Sequence, residues 1–181
     1  MEAEPGIVGE IWEAVFTAGP PLLSQRPRKG TLSAAAVRSA LAAFDAGGDP
    51  TRFRILAGLA LLWHDHWDEA HAIAQSREGE RDFDLLHAIL HRREGDSANA
   101  GYWFRSAGKH PCYSRLENAL AERLPEGGLK EALLPRGRWS PSAFVAAAGA
   151  AGDGTGAAAE ALMRVQAEEF RAFAEWLVSE S

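Results

Sequence analysis

The feature that most constrains this chain is the period of its apolar residues. They recur at three- and four-residue spacings almost throughout, and no run of four or more alternates as a half-buried strand requires. Ile7, Ile11 and Val15 mark a first helix, closed by Gly19-Pro20-Pro21. Val37, Ala40, Leu41 and Phe44 stripe a second over about 33–46, broken by Gly47-Gly48. Asp49-Pro50 opens a third over about 51–64, since aspartate caps free amides and proline suits the first helical position. The same reading predicts helices near 67–77, 82–94, 97–107, 113–124, 141–151 (with Ser140 as its cap) and a C-terminal one over 157–178. Gly127-Gly128 reads as a plain turn, and 152–156 as a connector. The expectation is a single all-α domain over 1–181, a compact bundle of eight to ten helices. Its 181 residues, 46% of them hydrophobic, suffice for a real core.

Charge and cysteine content remove several classes of function. With 19 basic against 25 acidic residues the net charge is −6, so a sequence-independent grip on nucleic acid is excluded and an anionic partner needs a local basic patch. The single cysteine, Cys112, rules out an internal disulfide and a cysteine-rich zinc module, which suits a reducing cytoplasm. The acidic opening, residues 1–6, lacks the apolar stretch of a secretory signal. No apolar run approaches the roughly 18–20 residues needed to cross a bilayer, so no membrane partner is expected. Gly152-Asp153-Gly154-Thr155-Gly156 has no lysine and no preceding strand, and so is not a phosphate loop.

The middle of the chain repeats. Setting Ala70 over Ala100 also places Gly58 over Ala88, Asp65 over Gly95 and Ala74 over Phe104, putting small residues where paired helices must approach closely. The second copy, from Leu86 through Gly95-Asp96 to Ala100, Phe104, Ala107 and Pro111, resembles a tetratricopeptide repeat. That resemblance implies two helical hairpins over about 51–111. Two copies are too few for a free-standing solenoid, so flanking helices must close the core.

A second resemblance rests on His87-Ala88-Ile89-Leu90-His91-Arg92-Arg93-Glu94, with Asp96, Asn99, Tyr102-Trp103-Phe104-Arg105, Gly108 and His110-Pro111. This segment is similar to one in an uncharacterised family of bacterial and fungal proteins; Trp139, Pro141, Phe144-Val145, Arg164-Val165-Gln166 and Glu169 look like weaker downstream elements. Leu86 stands where that family has an aromatic residue, and Gly101 where it has lysine. No activity comes with the resemblance, only weight on these residues.

Their chemistry can be read directly. On a helix, Asp84, His87, His91 and Glu94 fall within roughly 80° of arc, with Leu85, Leu86, Ile89 and Leu90 on the other side. Two imidazoles on successive turns can chelate one ion when a third ligand arrives from elsewhere. Ala88 after His87 removes the general-base glutamate of a zincin motif. Superposed on a tetratricopeptide hairpin, the same two histidines take packed positions; a half-buried cleft satisfies both readings. Arg92 and Arg93, with Arg105 on the paired helix, concentrate positive charge beside them, although Glu94 and Asp96 can neutralise it. Glu169 lies on the apolar stripe of the last helix, between Val165 and Phe173, where a carboxylate must be paired or reach a cleft. His64 sits at a predicted helix end, where the macrodipole favours it. Cys112 beside His110 shows no orienting third residue for nucleophilic catalysis.

Two functions are expected from these residues. The first is a cytoplasmic binding protein whose cleft, lined by His87, His91, Arg92, Arg93 and Arg105, holds an anionic peptide or small acid. The second is a metal-dependent hydrolase or oxygenase whose zinc, iron or manganese is held by His87 and His91 with a third ligand from Glu169, His71 or His64.

Overall fold

The computed structural model describes residues 6–44, 49–152 and 156–179, and among them all regular structure is helical. The chain runs through α1 (Ile7–Val15), α2 (Ala34–Ala42), α3 (Pro50–Trp63), α4 (Trp67–Ala74) and α5 (Arg81–Glu94). It continues through α6 (Ser97–Ala107), α7 (Tyr113–Arg123), α8 (Gly128–Leu133), α9 (Pro141–Ala151) and α10 (Ala157–Val178). The cap signals act as their chemistry dictates. Asp49 accepts the Thr51 N–H at 2.8 Å, Asp96 that of Asn99 at 3.0 Å and Ser140 that of Ala143 at 3.3 Å.

Two details depart from the sequence reading. Gly127-Gly128 is not a plain turn; Gly127 takes φ 137° and Gly128 opens α8. The helix expected over 67–77 tightens after Ala74 into a 3-10 turn, Gln75–Arg77. The Gly47-Gly48 break, the start of the chain at 1–5 and the centre of the 152–156 connector lie outside the described residues.

The two central hairpins share a turn. Asp65 and Gly95, thirty residues apart, both adopt left-handed backbone, φ 67° and 81°. The residues that follow are close to superposable: His66 at φ −91°, ψ 80° and Asp96 at φ −83°, ψ 79°. Glycine enters such a conformation freely, whereas aspartate gives up roughly 1–2 kcal/mol to do so. Small residues let the helices close: Ala70, Ala74, Ala88 and Ala100 are fully buried. A Cβ on Gly58 would come within 2.7 Å of Leu86 Cδ2 and 3.1 Å of Ile73 Cγ2.

One continuous apolar cluster, from Ile11 on α1 to Leu177 on α10, joins the flanking helices to these hairpins. α5 lies at its centre, packed most extensively on α6 and also touching α3, α4 and α9. Every residue from Phe83 to Arg93 is buried, five of them polar: Asp84, His87, His91, Arg92 and Arg93. Among the described residues no helix is long and apolar enough to cross a membrane.

Candidate metal centre

α5 has no solvent face over those residues, so each of its polar side chains must find a partner inside the protein or remain unsatisfied. Arg92 and Arg93, side by side in sequence, diverge. Arg92 reaches α10, donating from Nη1 to Glu169 Oε1 at 3.0 Å and from Nη2 to Gln166 Oε1 at 3.3 Å. Its Nη2 also lies 2.6 Å from Glu169 Oε2, an ion-pair contact without hydrogen-bond geometry. The guanidinium stacks 4.3 Å from the Phe144 ring centre. Arg93 turns the other way, to Asp65 Oδ1 at 2.8 Å, with further bonds to the Leu22 and Leu62 carbonyls and a stack on Trp67. Asp65 meanwhile accepts from both the backbone and Nε of Arg28, at 3.1 Å each, which explains why a non-glycine residue is held in that turn.

These partners decide what is left for ligands. Arg92 and Arg93 are 3% and 0% exposed, so they do not line an open cleft with the histidines. Glu169 is engaged by Arg92, 1% exposed, and does not join His87 and His91 as a ligand. His64 is equally occupied: its Nδ1 accepts the Leu32 N–H at 3.1 Å and its Nε2–H donates to the Val15 carbonyl at 2.6 Å. Arg105 is exposed and lines a separate cavity that includes none of His71, His87 and His91. Asp84, the other end of the α5 stripe, accepts from Gly79 N–H at 2.9 Å and Ser106 Oγ at 2.6 Å.

His71 is the expected third partner that the fold does bring in. Its Nε2 lies 2.9 Å from His87 Nε2, and one potential ligand atom from each of His71, His87 and His91 falls within 4.8 Å of the others. Tetrahedral zinc with bonds of about 2.0–2.1 Å sets its nitrogens about 3.3 Å apart, inside that range. His87 stacks between His91 (4.7 Å) and Trp103 (4.2 Å), so its ring plane is fixed from both sides. The Nδ1–H of His91 donates to Glu94 Oε2 at 2.7 Å, leaving its Nε2 free for the cluster. Gln25 holds the other Glu94 oxygen at 3.2 Å. A carboxylate behind an imidazole is the arrangement that orients metal-binding histidines and raises their basicity.

Electrostatics favours an unprotonated His87. Burial, followed by repulsion from His91 and His71, pulls His87 down to about 4. His87 Nδ1 is buried without a partner. His87 is therefore a neutral imidazole, the form that binds a transition metal. The sequence stripe contained Glu94, but nothing in it marked the stacking role of Trp103, since α6 brings that ring across.

His110 builds a different cluster. Its Nε2–H donates to Asp82 Oδ1 at 2.6 Å, and its Nδ1 accepts the Cys112 N–H at 3.2 Å, with the sulfur 3.0 Å away. Asp82 is the third residue the sequence did not show. Yet Cys112 is 1% exposed, and burial, with Glu169 and Asp82 nearby, pushes its thiol well up, so the array is a structural bracket rather than a nucleophile.

No family model, curated protein or solved structure matches the chain. Neither resemblance seen in the sequence gains a relative from these comparisons, and function rests on the geometry.

Proposed function

We propose that this protein binds a divalent transition metal, zinc foremost, through His71, His87 and His91. The observation that carries the reading is the convergence of three imidazoles from α4 and α5 to within 4.8 Å, around a ring held neutral by burial. The donor set distinguishes the chemistries. Non-haem iron oxygenases use two histidines and a carboxylate, whereas here Glu94 supports His91 from behind and Glu169 is engaged by Arg92. Three imidazole nitrogens suit a zinc ion that keeps its fourth position for water and lowers the pKa of that water, which favours hydrolytic over oxidative chemistry. The half-buried His71 gives the site its opening to solvent. A buried free thiol, Cys112, supports placing the protein in the cytoplasm.

The test is elemental analysis of protein purified without a histidine tag and then equilibrated with zinc. One equivalent retained by the parent and lost in both His87→Ala and His71→Ala supports the proposal. Zinc absent from the parent, or retained unchanged by either variant, overturns it.

A further inference from the structure

A separate cavity of about 1040 Å³ opens between α6, the 108–114 segment, the 138–142 segment and α9. It lies on the far side of α6 from His87 and its two neighbouring imidazoles, while His110 forms part of its wall. Gly101, Phe104, Arg105 and Gly108 share one helix face, from whose middle Trp103 stands roughly 150° away at 100° per residue. Phe104, Trp139 and Val145 supply apolar wall, while Arg105, Lys109 and Arg138 supply positive charge. Against those three cations the lining has one carboxylate, Glu117, already bound to the Trp139 N–H at 2.9 Å and to Arg138 at 3.3 Å. Arg105 and Lys109 are exposed and make no hydrogen bond or ion pair among the described residues. In a chain of net charge −6, two unneutralised cations at the mouth of an apolar cavity are a local reversal of sign.

The backbone adds to that potential. The first turns of α7 and α9, each eleven residues long, contribute Tyr113, Ser114, Pro141 and Ser142 to the wall, placing two positive helix ends beside the cavity. Tyr113 and Trp139 are 7% and 6% exposed, and neither Tyr113 Oη nor Trp139 Nε1 has a hydrogen-bond partner. Burial, with Glu169 and Cys112 behind it, pushes the Tyr113 hydroxyl up, so it keeps its proton. Both atoms are now covered and become donors to a ligand only as the rings turn toward the cavity. Gly101 keeps the wall open beside Arg105, whose Nη1 would lie 3.3 Å from a Cβ there.

We infer that this cavity is a binding site for a small organic acid with an apolar body, its carboxylate held by Arg105 and Lys109 and its body against Phe104, Trp139 and Val145. Size agrees, since ligand pockets span about 300–1,000 Å³ and bury most of a drug-sized molecule. The carboxylate is required by the unneutralised cations, and the apolar body by the walls.

Titration of zinc-free protein with 2-naphthoate and with decanoate tests this and separates aromatic from aliphatic acids. The readout is the indole N–H signal of Trp139, assigned by its loss in Trp139→Phe, and the dissociation constant it gives. At least one acid is expected to saturate the signal below millimolar concentration, with 2-naphthylmethanol binding at least about tenfold more weakly. The double variant Arg105→Ala/Lys109→Ala, altered only at exposed positions, weakens binding by a similar factor, and Ala146→Trp, which fills the cavity, abolishes it. No saturation by either acid, equal affinity for the alcohol, or unchanged binding in either variant overturns the inference.

Discussion

Arg93 and His87 stand six residues apart on one buried helix, and the fold treats them in opposite ways. Arg93 is saturated: Asp65, two carbonyls and the Trp67 ring take up its charge and its hydrogens. His87 is left short, with Nδ1 unpartnered and Nε2 facing only another imidazole. Burial weighs against the charge of both, and attraction to Asp65 offsets this for Arg93 alone. The contrast separates a polar group that holds the fold from one with coordinating capacity to spare. An unpaired buried nitrogen costs about 1–3 kcal/mol, which is the kind of deficit tolerated at sites rather than in scaffolds.

The strongest way to break this comparison is at the arginine. Arg93→Ala leaves Asp65 to Arg28 alone and removes a donor from the Leu22 and Leu62 carbonyls, and should destabilise the chain by about 3 kcal/mol in urea unfolding, with metal binding affected only through unfolding. His87→Phe should behave inversely. The ring still stacks on Trp103 and the unpaired nitrogen disappears, so stability should hold or rise by about 1 kcal/mol. Zinc affinity should fall by more than the roughly 100-fold that marks loss of a supporting partner. Glu94→Gln probes that support itself: competition against a chromogenic chelator should show affinity about 10–100-fold weaker, with one equivalent still bound at high zinc. The smallest effect is the acid response of His64. Burial lowers its pKa from 6.5, and a proton on Nδ1 would break the Leu32 bond. The unfolded chain therefore takes up that proton first, and stability should decline as pH falls below 6.5. Urea midpoints at pH 7.5 and 5.5 check this: His64→Gln should shrink the difference without abolishing it, because His87, pulled down to about 4, contributes with the same sign.

Local signals were legible because they report on one helix at a time. Asp49-Pro50 and Ser140-Pro141 named their helix starts, and the spacing of His87 and His91 placed them on one face. The repeat offset set Asp65 over Gly95, and the fold gives both a left-handed backbone although one is an aspartate. α8 escaped because six residues are too few for a helical period to show. Arg92 and Arg93 resembled a solvated helix end, with Glu94 and Asp96 beside them as ready counter-charges. Their true partners, Glu169 and Asp65, are 77 and 28 residues away, and spacing along one helix says nothing of what another segment lays across it. For the same reason His71 was one of several third-ligand candidates until α4 set it against His87.

The burial of α5 on every side also governs how this chain can come apart. Its polar partners arrive from the 22–28 segment, the α3–α4 turn and α10, so losing any one of these leaves a buried guanidinium short of a carbonyl or a carboxylate in the interior. Partial opening is then nearly as costly as complete unfolding, and the amides of α5 should exchange with solvent only at the rate of the whole molecule, in step with those of α10. A helix placed in this way acts as the keystone of a cooperative unit in which the 22–28 segment and the last helix must assemble before the middle is stable.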